Sequence, residues 1–385
     1  MTACHICGFP DVESLTQKGT PFCLVSSDVQ PAPGTADFSI CSRCLVVQKV
    51  ITPTWRAMVD GIYAHYDINH QSLGVEPTIF DSAKGSGPRS LMLLRNFLDM
   101  VDLAEKGRLL DIGCSNGNLL KSFHGLRPGW KLSGAELLGQ WKETVLSLPS
   151  VEAFYVGSSP AYAGPFDVIS LSHVLEHIPD PVAFLKAVSR HLTTRGRLLL
   201  ATPNLRQNPS DLVIADHCSH FEEESLAYVA KAAGLRVECL STRMLPKELV
   251  AVLSHPQPPA TSEVHDAGDW ASSKQRCLFY FELLEEVRRA ARSCAVAGRP
   301  FGIMGSSIAA CWIMLELEGK VDFFVDEDPN RIGHELQGLP ILGPSQLPSG
   351  AVVFIPMSVA VAEKIIHRWQ HLPTDFRYVA TNRPV

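Results

Sequence analysis

Four cysteines near the start of the chain stand in two pairs, Cys4-His5-Ile6-Cys7 and Cys41-Ser42-Arg43-Cys44. A C-x-x-C turn aims two thiolates at one point, and two such turns complete a tetrahedral sulfur site for zinc. Cys4, Cys7, Cys41 and Cys44 are therefore the expected ligands of a structural Zn2+. No fifth ligand or open position accompanies them. A segment of fewer than about 60 residues buries little core, so metal binding would supply folding energy there. The competing reading, four free cysteines packed as small apolar residues, does not explain the paired spacing. No strand–helix pattern follows either pair as in thioredoxin-like redox motifs. Cys23 lies outside the spacing and is read as a bystander. No further His/Asp/Glu cluster suggests a second metal.

A second group of residues has the spacing of a nucleotide site. Residues 108–113 are an apolar strand that runs into Gly113, residues 114–118 a turn, and residues 119–123 the opening of a helix. Asp111-x-Gly113-x-x-x-Gly117 differs from the dinucleotide fingerprint G-x-G-x-x-G, but its glycines let backbone approach a ligand closely. Glu136 follows Gly113 by 23 residues, at the tip of the next apolar stretch. A carboxylate there can accept both hydroxyls of a ribose, with the ligand over the carboxyl ends of the strands.

The elements that must hold these residues alternate strand and helix. Residues 131–135, 151–156, 166–171 and 196–202 read as further strands, and residues 181–191 as a helix. This alternation predicts a parallel, doubly wound α/β sheet. Residues 254–269, with Pro256, Pro258 and Pro259, read as a linker. Beyond them a helix over 272–295, strands over 300–305, 321–325 and 351–356 and a helix over 308–318 make a smaller Rossmann-like α/β unit. Its Asp326 follows Gly305 by 21 residues, near the spacing of a ribose-binding acid, but the full fingerprint is missing. The expected division is 1–55, 56–253 and 254–385.

Leu109-Leu110-Asp111-Ile112-Gly113-Cys114-Ser115-Asn116-Gly117 resembles motif I of class I S-adenosylmethionine (SAM) dependent methyltransferases. Residues 166–169 with Ser172-His173-Val174-Leu175-Glu176-His177-Ile178 resemble the fourth strand and following helix of that class, and residues 198–204 its fifth strand. The resemblance implies that Asp111, Gly113, Cys114, Gly117, Glu136, Ser172 and His173 bind SAM. His177 is read as a core or surface histidine. The order of a four-cysteine module, a SAM domain and a C-terminal α/β domain resembles the zinc-containing sugar C-methyltransferases, which act on nucleotide-linked keto-deoxysugars. Val325-Asp326-Glu327-Asp328-Pro329-Asn330-Arg331-Ile332-Gly333 resembles their C-terminal signature. Tyr63 and Tyr66, in Ile62-Tyr63-Ala64-His65-Tyr66, sit where the family borders its active site with tyrosines. The C-terminal domain would help hold the nucleotide-sugar, or serve as a scaffold closing one side of the cleft.

The family's catalytic stretch, roughly Tyr-His-Glu-His-Phe-x-Tyr-Phe, matches residues 214–221. Here Ile214 and Ala215 replace its tyrosine and first histidine, while Asp216 and His217 keep the acid and second histidine. The expected roles are His217 as general base, Asp216 orienting it, and His220 compensating for the lost groups. A histidine titrates near neutral pH and can take and give a proton. Carbon methylation needs a donor for the enolate as well as a base, whereas hydroxyl methylation needs only a base and an in-line methyl. The loss of the tyrosine tilts the expectation towards oxygen or another acceptor atom. The structural alternative has Asp216, His217 and His220 capping a helix over 222–233. A non-sugar natural-product acceptor, or a non-catalytic SAM-binding module, are the other functions the sequence allows.

Composition bounds these readings. The 385 residues exceed one ordinary core, and 46% hydrophobic with 19% charged residues is a globular composition. A net charge of −6 disfavours nucleic acid as a partner. The start of the chain lacks a signal-peptide pattern, and the longest apolar stretch, residues 301–315, is shorter than a membrane span of about 20 residues and broken by Gly302 and Gly305. A cytoplasmic protein that acts on a small molecule and does not bind membranes is expected. The eleven cysteines are then expected to be reduced.

Overall fold

The computed structural model describes residues 3–15, 21–66, 76–81, 85–158, 161–256, 266–295 and 298–379. Most of the proline-rich stretch read as a linker lies outside them.

A seven-stranded sheet forms the centre. Its spatial order is Val151–Val156, Lys131–Glu136, Arg108–Ile112, Phe166–Ser172, Leu192–Pro203, Glu248–Ser254 and Arg236–Ser241. The first five strands pair in parallel, and the middle ones are buried on both faces, as a near-continuous apolar run requires. Leu110, Ile169, Leu171 and Leu200 fill one face, and Leu109, Val168, Leu199 and Val252 the other. The alternation predicts a wholly parallel sheet, and the structure departs from this at one strand. Glu248–Ser254 runs against both its neighbours. The physical reason is connection length: only residues 242–247 separate it from Arg236–Ser241. A parallel crossover needs a dozen residues or more, so the chain can only fold back as a hairpin.

A six-stranded sheet follows, ordered Glu335–Leu336, Leu339–Leu342, Phe323–Val325, Phe301–Met304, Val352–Ile355 and Asp375–Tyr378, parallel except for the first pair. It contains the strands read at 300–305, 321–325 and 351–356 and three more, of two, four and four residues. The helices Trp270–Cys294 and Ile308–Glu316 pack against it.

The small antiparallel sheet at the N-terminus reaches across the chain. Val12–Leu15, Phe38–Cys41 and Val47–Lys49 are joined at the edge by Ser219–His220, which pair with Gln48 and Val47. Val25 bridges Ile214, and its carbonyl accepts the Ala215 N–H at 2.8 Å. Residues 214–220 are thus held from the N-terminal side by backbone hydrogen bonds.

Candidate active site

The glycine turn lies at the carboxyl end of the central sheet. Gly113 and Gly117 have φ of 75° and 84°, where a side chain is strained. A Cβ on Gly113 would also lie 2.5 Å from Val174, and one on Gly117 2.5 Å from Leu148. Both positions therefore require glycine. The Glu136 carboxylate accepts the Ser115 N–H at 2.8 Å and the Leu137 N–H at 2.9 Å, so the turn itself aims it. Burial raises its pKa. Asp111 is buried beneath the turn and accepts from Ser170 Oγ at 2.7 Å. Burial pushes it up to about 7, and the Ser170 hydrogen bond only partly opposes this. Cys114 is buried, its Sγ filling the space above Gly134, which places it in the packing of the turn.

Ser172 and His173 end the fourth strand inside an ionic network. Arg89 grips Glu248 with two nitrogens, at 2.6 and 2.5 Å, and donates to Ser172 Oγ at 2.8 Å. His173, at φ 55°, stands between Glu176 (3.1 Å) and Glu248 (3.4 Å). Burial and Arg89 would lower its pKa, but the two carboxylates outweigh them and raise it to about 9. A cationic His173 at neutral pH follows.

The residues around His217 form a second buried cluster. His217 is 3% exposed and its Nδ1 lies 2.7 Å from Asp211 Oδ1. The other Asp211 oxygen lies 2.5 Å from His220 Nδ1. The contacts to the two imidazoles outweigh burial and keep Asp211 well below the ordinary carboxylate range. The His177 ring sits edge-on to His217, with centroids 4.6 Å apart. Its Nδ1 meets Tyr63 Oη at 3.0 Å and Asp216 Oδ2 at 3.3 Å. Burial opposes the charged ring, but the Asp216 contact prevails and the His177 pKa is raised. Asp216 is completed by Ser27, whose N–H and hydroxyl donate to it at 2.8 and 2.5 Å, while Tyr66 Oη stands 3.2 Å from the same hydroxyl. Buried Lys49 donates to the Ile214 and His217 carbonyls and holds the loop from beneath. Glu136 lies within electrostatic reach of both His177 and Tyr66.

The four N-terminal cysteines also converge. Cys4 and Cys44 Sγ are 3.6 Å apart, as are Cys7 and Cys41 Sγ, and all four ligand atoms lie within 4.8 Å of one another. Zinc–sulfur bonds of about 2.3 Å in a tetrahedron place sulfurs about 3.8 Å apart, so the donor set fits the ion. His5, between the first two, meets Ser219 Oγ at 3.0 Å and ties the knot to the histidine loop. Cys23 lies apart, its N–H on Glu316 at 2.8 Å.

The structure brings Tyr63, Tyr66, Asp216, His217 and His220 together but changes their assignments. The carboxylate on His217 is Asp211; Asp216 serves His177. Adjacency in sequence misleads here because Asp216 lies in a turn, where its carboxylate is taken by His177 and Ser27. His220 is 1% exposed and touches Asp211, so it does not replace the missing tyrosine at the open face. None of the three caps the following helix. Glu222 does so, with its N–H on Ser225 Oγ at 2.9 Å. Sequence reading set His177 aside, and it missed Asp211, Ser27, Lys49, Arg89 and Glu248. It also found no second cluster with metal-ligand geometry, yet ligand atoms of Glu176, His177 and His217 lie within 4.8 Å of one another. Both histidines there already have Nδ1 against a carboxylate, an arrangement equipped to move protons. Asp211 lies six residues before His217, a spacing that no sequence period marks.

Residues 89–240, less than half of the chain, match the model of the family described as a methyltransferase domain. A ubiquinone biosynthesis O-methyltransferase of Marinobacter nauticus (strain ATCC 700491 / DSM 11845 / VT8) is 30% identical over 136 residues, 31% of this chain and 53% of that protein. The protein of the same name from Thiobacillus denitrificans (strain ATCC 25259 / T1) is 26% identical over 162 residues, 35% of this chain and 66% of its own. The chain thus spans about two fifths to two thirds of the length of the curated relatives it matches. Among solved structures, the mitomycin 7-O-methyltransferase MmcR overlaps 43% of this chain and 54% of its own at 18% identity, with a TM-score of 0.38, too partial to bear on function. The matched segment carries the glycine turn and the first five strands of the central sheet, and this region is similar to a methyltransferase domain.

Proposed function

We propose that this chain is a SAM-dependent methyltransferase whose acceptor is a nucleotide-linked sugar, with His217 as general base. Glu136 would hold the ribose of SAM, the backbone at Gly113 and Gly117 would approach it closely, and Asp111, Cys114, Ser172 and His173 would shape the rest of its pocket. SAM supplies an electrophilic methyl on a sulfonium. The protein's own contribution is to take the acceptor's proton and fix the acceptor in line. The observation that carries the reading is the Asp211–His217 pair: an ionised carboxylate 2.7 Å from Nδ1 leaves Nε2 as the basic atom. Tyr63, hydrogen-bonded to His177, and Tyr66, beside Ser27, are the hydroxyls that would border the acceptor. Tyr63 is a donor the lost tyrosine position does not supply, so carbon and oxygen acceptors both remain within the site's chemistry.

The sugar rests on the resemblance to the zinc-containing sugar methyltransferases and on three further features. A four-cysteine knot fits zinc, a second parallel sheet follows the methyltransferase domain, and Asp326 closes its first turn by accepting the Ser306 N–H at 3.1 Å. The division into 1–55, 56–253 and 254–385 belongs to the same proposal, as does a location in the cytoplasm. Among the described residues no helix is long and apolar enough to cross a membrane. The second reading, a non-sugar acceptor, is favoured by the O-methyltransferase relatives. Purified protein incubated with methyl-labelled SAM and a panel of nucleotide sugars, including 4-keto forms, in heavy water decides between them by mass spectrometry. A methylated sugar that gains deuterium beside its carbonyl establishes carbon methylation; one without exchange establishes oxygen or nitrogen. No labelled sugar overturns the acceptor class.

A further inference from the structure

We propose that His220 is a positioning residue: it holds one oxygen of Asp211 so that the other fixes His217 with Nε2 free to accept a proton. This rests on the reading of His217 as base. Asp211 is 1% exposed, and its oxygens are divided between the two rings, Oδ1 at 2.7 Å from His217 Nδ1 and Oδ2 at 2.5 Å from His220 Nδ1. An ionised carboxylate only accepts, so each ring carries a proton on Nδ1.

In His220 that leaves Nε2 unprotonated. This atom is buried and has no hydrogen-bond partner among the described residues. A proton there would be a buried donor without an acceptor, on a ring that would then be charged. His220 is therefore a neutral, one-sided donor. The charged and titratable groups facing it are Asp211, His217, Lys49 and, from the cysteine knot, His5. Burial outweighs Asp211 and lowers the His220 pKa to about 4. Lys49 directs two of its three ammonium donors to the Ile214 and His217 carbonyls rather than to Asp211. The backbone of His220 is fixed by pairing with Val47, and Phe38 stands 6.0 Å from its ring. The geometry lets His220 act on the reaction only through Asp211.

The test is 15N NMR of the full-length protein labelled at histidine, assigned with His217→Gln and His220→Asn. The expected His220 signal is the neutral Nδ1–H tautomer at pH 7, persisting well below the ordinary histidine pKa of about 6.5. His220→Leu lets His217 sample the Nε2–H form. It lowers kcat about tenfold on the 4-keto nucleotide sugars of the panel, the effect of one hydrogen bond to a charged group, with SAM Kd and acceptor KM unchanged. His220→Asn, whose amide nitrogen stands near the place of Nδ1, recovers most of the loss. An Nε2–H tautomer for His220, a His217 tautomer unmoved by His220→Leu, or an Asn variant no better than Leu overturns the proposal. The wild-type spectrum decides even if His220→Leu does not fold. The expected tautomers without turnover of any nucleotide sugar would support the positioning and overturn the acceptor class instead.

Discussion

A proton can leave the acceptor through His217 only while Asp211 stays ionised and holds the Nδ1–H. Asp211→Asn offers an amide of the same shape that favours the wrong tautomer. It is expected to lower kcat on the order of 10²- to 10⁴-fold with little change in SAM affinity, as steady-state kinetics beside calorimetry would show. An equal loss of SAM affinity would mean that Asp211 supports the fold rather than the chemistry. A second residue-scale prediction concerns Asp111. Its carboxyl, raised to about 7, is half protonated at neutral pH in the unliganded chain. SAM carries positive charge and favours the ionised form. SAM affinity should therefore fall as pH drops through about 7, and Asp111→Asn should flatten the profile in titration calorimetry. A flat wild-type profile would remove Asp111 from the pocket.

The elements explain why two distant stretches depend on each other. The cysteine knot anchors the N-terminal sheet, and that sheet carries Ser219–His220 as its edge strand. Stripping the zinc proposed at the knot with a chelator is expected to abolish methyl transfer, and zinc return should restore it. Activity unchanged at zero bound zinc would contradict this. At the turn, Gly113→Ala meets both positive φ and Val174 at 2.5 Å. About 1–3 kcal/mol of stability should be lost in urea titration. The parallel strands and the turn were legible because their signals are local: apolar runs of strand length, glycines at a bend, an acid at a strand tip. The reversed strand Glu248–Ser254 was not, since its direction depends on the loop before it rather than on its own residues. Asp211 was likewise hidden. A short 3-10 turn over Pro209–Val213 brings it back beneath His217, and no period in the sequence reports that. The four cysteines were found by spacing alone, whereas the tie from His5 to Ser219 spans 214 positions and exists only in the fold.

At the scale of the molecule, one apolar cluster joins the N-terminal sheet to the C-terminal unit. Phe22, Val25 and Phe38 pack with Tyr280, Phe281 and Trp312. Trp312 is 1% exposed, meets the Phe22 ring edge-on at 5.6 Å and donates to Glu316 at 3.1 Å. Trp312→Ala should cost about 3–5 kcal/mol in chemical unfolding. A loss near zero would show that the two units merely abut. This packing gives the C-terminal unit a physical role as a wall behind the loop that carries Ser27, which completes Asp216. The central claim nevertheless rests on one side chain. The most direct measurement is turnover of methyl-labelled SAM on the nucleotide-sugar panel by His217→Ala, run beside SAM binding by the same protein. The account predicts intact SAM binding and loss of nearly all transfer; full turnover with unchanged SAM affinity would contradict it.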